Sequence, residues 1–302
     1  MKPAAFEYHA PRTIGEAVRL LAAHGDDAKV LAGGQSLVPL MNMRLARPRV
    51  IVDLNRVRGL DGLREARGVL KIGAMVRQRV AERSPLVASR CPLLRDALGC
   101  VGHPQIRNRG TIGGSVAHAD PAAEIPAVLA ALGGEVTVRG PKGARTIRAA
   151  DLFVTYLTTA IDARELLTEV RVPVQPRGAG WSWMEIARRH GDFALAGVGV
   201  MLALRRGVIA EARIALTGVG PAPVRANAAE RLLTGSRPSD AVWQDAAEAV
   251  RGAIDPDGDL HASAEYRRHV AGVLTVRALR EALGRAGAPG SGGRGRPRRE
   301  AA

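Results

Sequence analysis

Apolar positions along the chain alternate between two periods, and the switches mark the elements. Thr13-Ile14-Gly15-Glu16 has the form of a capping box. Ile14, Ala17, Val18 and Leu21 follow at helical spacing, and His24-Gly25 stops the helix. Ala28 to Ala32 reads as a short buried strand, Ser36 to Ala46 as a helix with Pro39 tolerated in its first turn, and Arg49 to Leu54 as a second strand. Val69 to Ala74 predicts a strand, and Arg77 to Arg83 and Leu86 to Leu98 predict helices broken at Ser84-Pro85. Gly99 to Gly110 reads as irregular. Asp120, Pro121 and Glu124 predict a helix start that runs on to about Leu132, with Asp120 as cap. Glu135 to Arg139 and Ala144 to Arg148 alternate as a hairpin, and Leu166 to Val174 is a further strand.

Gln175 to Gly180 is the best domain boundary, placing one domain at 1–175, with lobes of about 1–57 and 58–175, and a second at 176–286. Beyond it, Trp181 to Ala187, Ala194 to Leu204 and Ile209 to Thr217 predict a three-stranded antiparallel sheet. Helices at Ala226–Thr234, Pro238–Ile254 and Ser263–Arg285 follow, the pattern of an α+β domain with helices on one face of the sheet. The segment 287–302 carries nothing apolar enough to fold and reads as a disordered basic tail.

Two short stretches interrupt these patterns. In Leu31-Ala32-Gly33-Gly34-Gln35-Ser36-Leu37 a strand runs into adjacent glycines and a hydroxyl residue before a helix. A near-copy recurs at Thr111-Ile112-Gly113-Gly114-Ser115. Such a loop can leave backbone N–H groups bare, lets a ligand approach the backbone closely, and suits phosphate. Ser36 is placed both to cap its helix and to meet a ligand oxygen. Two loops of this kind predict a ligand with two phosphates. Neither carries the G-x-G-x-x-G spacing of a dinucleotide-binding Rossmann turn, and no P-loop motif is present. Gly197-Val198-Gly199 lacks the third glycine and falls inside a strand.

Composition narrows the function classes. The chain has 302 residues, 46% hydrophobic but only 3% aromatic, with a formal charge of +15. That charge lies beside no aromatic-interleaved basic motif, so an anionic ligand or acidic partner fits it better than nucleic acid. Cys91 and Cys100 are too few to hold an iron–sulfur cluster or structural zinc. His103, His118 and His190 form no nucleophile–base arrangement. The absence of an apolar leader or membrane-length run predicts a cytoplasmic protein, with association at the inner face of the membrane left open.

LAGGQSLVPLMNMRLARP followed by RNRGTIGGSVAHADPAAEIPA, with the later ARRHGDFA, closely resembles the flavin subunit of the molybdenum hydroxylases. This family includes the medium subunit of aerobic carbon monoxide dehydrogenase and the FAD domain of xanthine dehydrogenase. The resemblance implies a two-lobed FAD-binding domain of the vanillyl-alcohol-oxidase (PCMH) type and a C-terminal α+β domain. It implies that Ala32, Gly33, Gly34, Gln35, Ser36 and Leu37, with Thr111, Ile112, Gly113, Gly114 and Ser115, embrace the FAD pyrophosphate through backbone N–H groups. Glu124 matches a position contacting the adenosine part, Leu167 an apolar contact near the flavin, and Asp192 and Phe193 a segment close to the isoalloxazine ring. The chain departs from the family at Ser115, where many members have Asn, and at Met184-Glu185, where several carry a lysine near the flavin.

The resemblance further implies a large subunit holding a molybdenum-pterin cofactor and a small one holding [2Fe-2S] clusters, in a dimer of heterotrimers. Electrons would pass from the clusters through FAD to a quinone, NAD or another external acceptor. No residue of this chain is expected to be catalytic or to bind metal. Two alternatives remain at this point: a stand-alone flavin reductase on the same fold, and a nucleotide-binding assembly subunit without turnover. The first would require a catalytic Ser or Glu beside the flavin; the second would fail to be reoxidised by a quinone.

Overall fold

The computed structural model describes residues 1–287, so the expectation made for the basic tail lies outside the described residues apart from Gly287. The N-terminal lobe is a small α/β unit: β1 (Glu7–His9), α1 (Ile14–His24), β2 (Ala28–Leu31), α2 (Leu37–Asn42) and β3 (Val50–Asp53). Thr13 caps α1 as expected, accepting from the Glu16 N–H at 3.2 Å, while Glu16 reaches back one residue further, to the Arg12 N–H at 2.8 Å. The three strands form a parallel sheet in the order β1-β3-β2, with Leu31 of β2 paired to Asp53 of β3 at its carboxyl end. Ala17, Leu21, Val50 and Val52 fill the space between α1 and this sheet.

The second lobe starts with a hairpin, β4 (Leu63–Ala66) and β5 (Val69–Gly73), of which only the second strand is marked by apolar residues. Helices α3 (Gln78–Arg83), α4 (Pro85–Arg90), α5 (Pro92–Cys100), α6 (Pro104–Arg109), α7 (Ile112–His118) and α8 (Glu124–Leu132) follow. The expected helix over Leu86–Leu98 is broken at Cys91-Pro92, because proline at the first position of α5 cannot continue the α4 ladder. The stretch read as irregular holds α6, again opened by a proline in its first turn. Asp120 does not cap α8. It closes a turn instead, its carboxylate accepting from the Ala122 N–H at 2.8 Å, and the helix starts at Glu124.

The lobe then completes its sheet with β6 (Glu135–Gly140) and β7 (Gly143–Arg148). A short helix α9 (Ala149–Leu152), a small pair β8 (Phe153–Thr155) and β9 (Thr158–Thr159), and β10 (Leu166–Pro173) follow. The antiparallel order is β4-β5-β10-β6-β7. Leu70, Ile72, Val136, Val138, Val170 and Val172 from this sheet pack against Leu93, Leu94, Leu98, Ile125, Val128 and Leu129 from α5 and α8.

The last unit has β11 (Gly180–Ile186), β12 (Ala196–Arg205) and β13 (Val208–Thr217) as three antiparallel strands. A two-residue edge strand β14 (Val224–Arg225), not foreseen, makes the sheet four-stranded. Helices α10 (Asn227–Leu233), α11 (Asp240–Ala253) and α12 (Ala264–Arg285) cover one face. The other face is not solvent. It packs on α5 and α8, and Trp183, Met201 and Ala215 join the core of the preceding lobe. Covering both faces explains why β12 is a nearly unbroken apolar run rather than an alternating one. It also accounts for Gly197 and Gly199: a Cβ on Gly199 would stand 3.1 Å from the Trp183 indole, and one on Gly197 would stand 2.7 Å from Thr217 Cγ2.

Candidate functional site

Ligands of open α/β sheets gather beyond the carboxyl ends of the parallel strands. Here β2 and β3 end side by side, and a cleft of about 340 Å³ opens at that edge. Leu31 through Gln35, Val38 and Pro39 line one side; Asp53, Asn55 and Arg109 line the other. Gly34 turns the chain with φ of +76°, a conformation that favours glycine. Gly33 lies against the segment that precedes the second glycine pair: a Cβ there would be 2.5 Å from the Arg109 carbonyl oxygen and 2.8 Å from Gly110 Cα. Gly114 likewise looks toward Ala32, with 3.5 Å between its would-be Cβ and the Ala32 Cβ. The two glycine pairs, far apart in sequence, are thus in contact.

They are not equivalent. Among the described residues, the N–H groups of Gly33, Gly34, Gln35 and Ser36 meet no acceptor. Four consecutive bare donors make this segment electropositive. The second segment is not a loop with bare donors, as expected, but the first turn of α7. Thr111 is its cap, accepting from the Gly114 N–H at 3.0 Å, and Ser115 N–H bonds the Thr111 carbonyl at 3.1 Å. Ile112 and Gly113 donate to the Val76 and Ala74 carbonyls, each at 3.0 Å. Gly113 is glycine because α7 rests directly on Ala74, whose Cα would be 2.6 Å from an added Cβ. This segment offers close approach and a helix start rather than free N–H groups. Ser36 is a second correction: its backbone is helical and its hydroxyl caps nothing, and that hydroxyl has no partner among the described residues. The Ser115 hydroxyl also has no partner among the described residues.

Of the expected residues only Ala32 to Gln35 line the cleft itself; Ser36, Leu37, Thr111 to Ser115, Glu124, Leu167, Asp192 and Phe193 do not. Glu124 is 8% exposed at the start of α8. Burial first, and then the neighbouring Glu185 carboxylate, push its pKa up to about 8. Glu185 is itself raised by burial although it accepts from the Trp183 indole N–H at 2.9 Å. Leu167 is buried in the core at a bulge of β10 against β6. Asp192 and Phe193 are exposed on the β11–β12 connection, Phe193 at 72%. That connection leans on the start of α6: His190 and His103 stack with ring centroids 6.2 Å apart, and Gly191 abuts the His103 ring. The two cations that precede the second pair, Arg107 and Arg109, differ in role. Arg107 is buried and holds Glu82 at 2.9 Å and the Val101 and Gly102 carbonyls, so it is structural. Arg109 is exposed at the cleft with no carboxylate partner among the described residues.

Sequence reasoning missed a side-chain network at the cleft wall, of which Asp53 and Asn55 line the cleft itself. Tyr8 donates to Asp53 at 2.6 Å; Asn55 donates to Asp53 at 2.5 Å and to the Ala32 carbonyl at 3.0 Å. Arg77 donates to Asn55 Oδ1 at 2.6 Å and to the Arg109 carbonyl. Burial alone would raise the Asp53 carboxyl, but the Tyr8 and Asn55 hydrogen bonds and the charge of Arg56 outweigh it and hold it below the usual range. The available signal was positional: Asp53 and Asn55 end a predicted parallel strand next to the one feeding the glycines.

Comparison with known proteins identifies the family. Residues 4–175 match the family of FAD binding domains in molybdopterin dehydrogenase, and residues 181–282 match the CO dehydrogenase flavoprotein C-terminal domain. The 6-hydroxypseudooxynicotine dehydrogenase complex subunit alpha of Paenarthrobacter nicotinovorans is 43% identical over 95% of this chain and 97% of its own length. The carbon monoxide dehydrogenase medium chain of Hydrogenophaga pseudoflava is 40% identical over 94% of this chain and 99% of its own. A solved structure of carbon monoxide dehydrogenase from H. pseudoflava superposes with a TM-score of 0.93 at 42% identity, covering 95% of this chain and all of that one. Quinoline 2-oxidoreductase from Pseudomonas putida 86 gives 0.89 at 37% identity, over 94% and 99%. The chain therefore belongs to the FAD-binding medium-subunit family of the molybdenum-dependent dehydrogenases and is an oxidoreductase subunit of that kind.

Proposed function

We propose that this chain holds FAD with its pyrophosphate at the carboxyl ends of β2 and β3 and relays electrons from a partner's [2Fe-2S] clusters to an external acceptor. The observation that carries the reading is the run of bare N–H groups from Gly33 to Ser36, packed against Arg109-Gly110 at the mouth of a strand-end cleft. Ala32 to Leu37 would hold the pyrophosphate with backbone donors and the free Ser36 hydroxyl. Thr111 to Ser115 would contribute the adjoining helix start and the Ser115 hydroxyl. Glu124 would meet the adenosine part as a neutral carboxyl at pH 7, able to donate as well as accept. Leu167 would give an apolar wall near the flavin, and Asp192 and Phe193 would approach the ring from the β11–β12 connection. When bound, FAD supplies a centre that takes up electrons singly or in pairs, while the protein sets its position and electrostatics.

The chain would work beside a large molybdenum-pterin subunit and a small [2Fe-2S] subunit in a dimer of heterotrimers, with a quinone, NAD or another carrier as acceptor. The complex-subunit and medium-chain names of its relatives support that assembly. The test is flavin content. The purified chain should release FAD, and no FMN, on acid extraction, and the bound flavin should be reduced by an artificial donor and reoxidised by a quinone. Gly33→Ala, which drives a methyl into the Arg109 carbonyl, should cut FAD retention by about tenfold or more. A chain that remains colourless after FAD reconstitution refutes the reading.

A further inference from the structure

We infer that Asn55 and Arg77 are positioning residues for the dinucleotide, tying the first glycine segment to the stretch that leads into the second and fixing the direction of its first donor. This rests on the FAD reading above. Its basis is one continuous chain of hydrogen bonds. Asn55 uses its amide N–H groups on the Ala32 carbonyl at 3.0 Å and on the Asp53 carboxylate at 2.5 Å, and its amide oxygen takes an N–H of Arg77 at 2.6 Å. Arg77 carries the connection to the Arg109 carbonyl. Asp53 is fixed in turn by Tyr8, and its carboxylate also accepts the Asn55 backbone N–H at 2.9 Å.

The geometry gives these bonds a consequence. In a trans peptide the carbonyl and the following N–H point in opposite directions, and the chain has no cis bonds among its described residues. Holding the Ala32 oxygen on Asn55 therefore directs the Gly33 N–H away from Asn55, and that N–H is one of the four without an acceptor. The second tie acts on the opposite wall. Gly33 is pressed against Arg109 and Gly110, so a shift of the Arg109 carbonyl would move the surface that fixes Gly33. Arg109 itself lines the cleft, and its guanidinium has no carboxylate partner among the described residues. Asn55 lines the cleft, but its amide groups are taken by the Ala32 carbonyl, Asp53 and Arg77, so it acts on the ligand through the donor it holds in place. The two ties set where that donor points, and an amide aimed in advance binds an anion without the cost of ordering it.

The test uses the full chain stripped of flavin. Asn55→Ala should weaken FAD binding by about tenfold, and Asn55→Asp, which keeps the shape but offers the Ala32 oxygen only repulsion, should weaken it more. Arg77→Met should act in the same direction through the other tie, so the inference stays testable if one variant folds poorly. ADP, which shares the diphosphate but not the flavin, should lose affinity by the same factor. The absorption spectrum of the bound flavin at saturation should stay at the wild-type value, and the flavin-free chain should melt no more than about 5 °C below wild type. Unchanged FAD and ADP affinity in Asn55→Ala and Arg77→Met overturns the inference and leaves the FAD reading standing. So does a loss of affinity that only tracks a fall in melting temperature. A wild-type chain that takes up no FAD overturns both.

Discussion

At the scale of single residues, Glu124 is the most exposed to chemical test. Its carboxyl is buried with Glu185 nearby, and its folded pKa of about 8 lies well above the ordinary value of 4.5. A carboxyl raised on folding binds its proton more tightly in the native state, so folding stability falls as pH rises from about 4.5 to about 8 and is level above that. Glu124→Gln removes the ionisation. In the flavin-free chain it should match wild type near pH 4.5, then gain relative stability steadily up to pH 8, on the order of a few kcal/mol. Urea melts at several pH values check this, and a difference independent of pH would refute the burial argument. The same residue shows a limit of reading side chains from sequence. Its first-turn position was legible, but its proximity to Glu185 depends on a sheet packing against α8 from another part of the chain.

At the scale of elements, the second glycine pair is the instructive case. Adjacent glycines ordinarily mark a turn, and the similar wording of the two segments invited one reading for both. The difference lies in what precedes them. Leu31 ends a strand at a sheet edge, whereas Thr111 follows α6 and is bridged to Arg77, which seats Gly113 on Ala74 and lets a helix start. The long, periodic elements were legible: α1, β10, the β6–β7 hairpin, and the strands and helices of the last unit all lie within a few residues of expectation. What was not legible were breaks set by proline inside an apolar run, and the short strands β4 and β14, whose apolar content is too small to show a period. The first half of the cleft was legible from glycine chemistry. The Asn55–Arg77 ties were not, because a polar side chain bonding a distant carbonyl leaves no local pattern. If Thr111 is the cap of α7, Thr111→Ala should cost about 1 kcal/mol and lower the melting temperature, whereas Thr111→Ser should recover most of the loss.

At the scale of the whole molecule, the question is whether the last unit is an appendage or part of one cooperative body. The sheet β11-β12-β13 has a core on each face, and Trp183, Met201 and Ala215 belong to the core beneath β10 as much as to their own strands. The seam is also bonded. Asp96 on α5 accepts from the Trp181 indole at 3.0 Å and from Arg285 at 2.9 Å, with Arg285 lying over the Trp181 ring at 5.1 Å. Across the same seam the Thr217 hydroxyl donates toward the Pro121 and Ala123 carbonyls at 2.7 and 2.9 Å. A shared core of this kind predicts one calorimetric transition for the flavin-free chain rather than two. Asp96→Ala leaves the half-buried Trp181 indole N–H without its acceptor and Arg285 with only the Trp181 carbonyl and Glu281. It should lower stability by about 1–3 kcal/mol, discounted toward the low end because Asp96 is partly exposed. Asp240→Ala, which breaks the exposed Arg280 pair on the outer helices, should change almost nothing. If the seam is one core, the Asp96→Ala transition moves down as a single peak. If that variant instead splits into two peaks, with the Trp181 and Trp183 fluorescence following only the lower, the last unit folds by itself and the Asp96 bonds are its main tether.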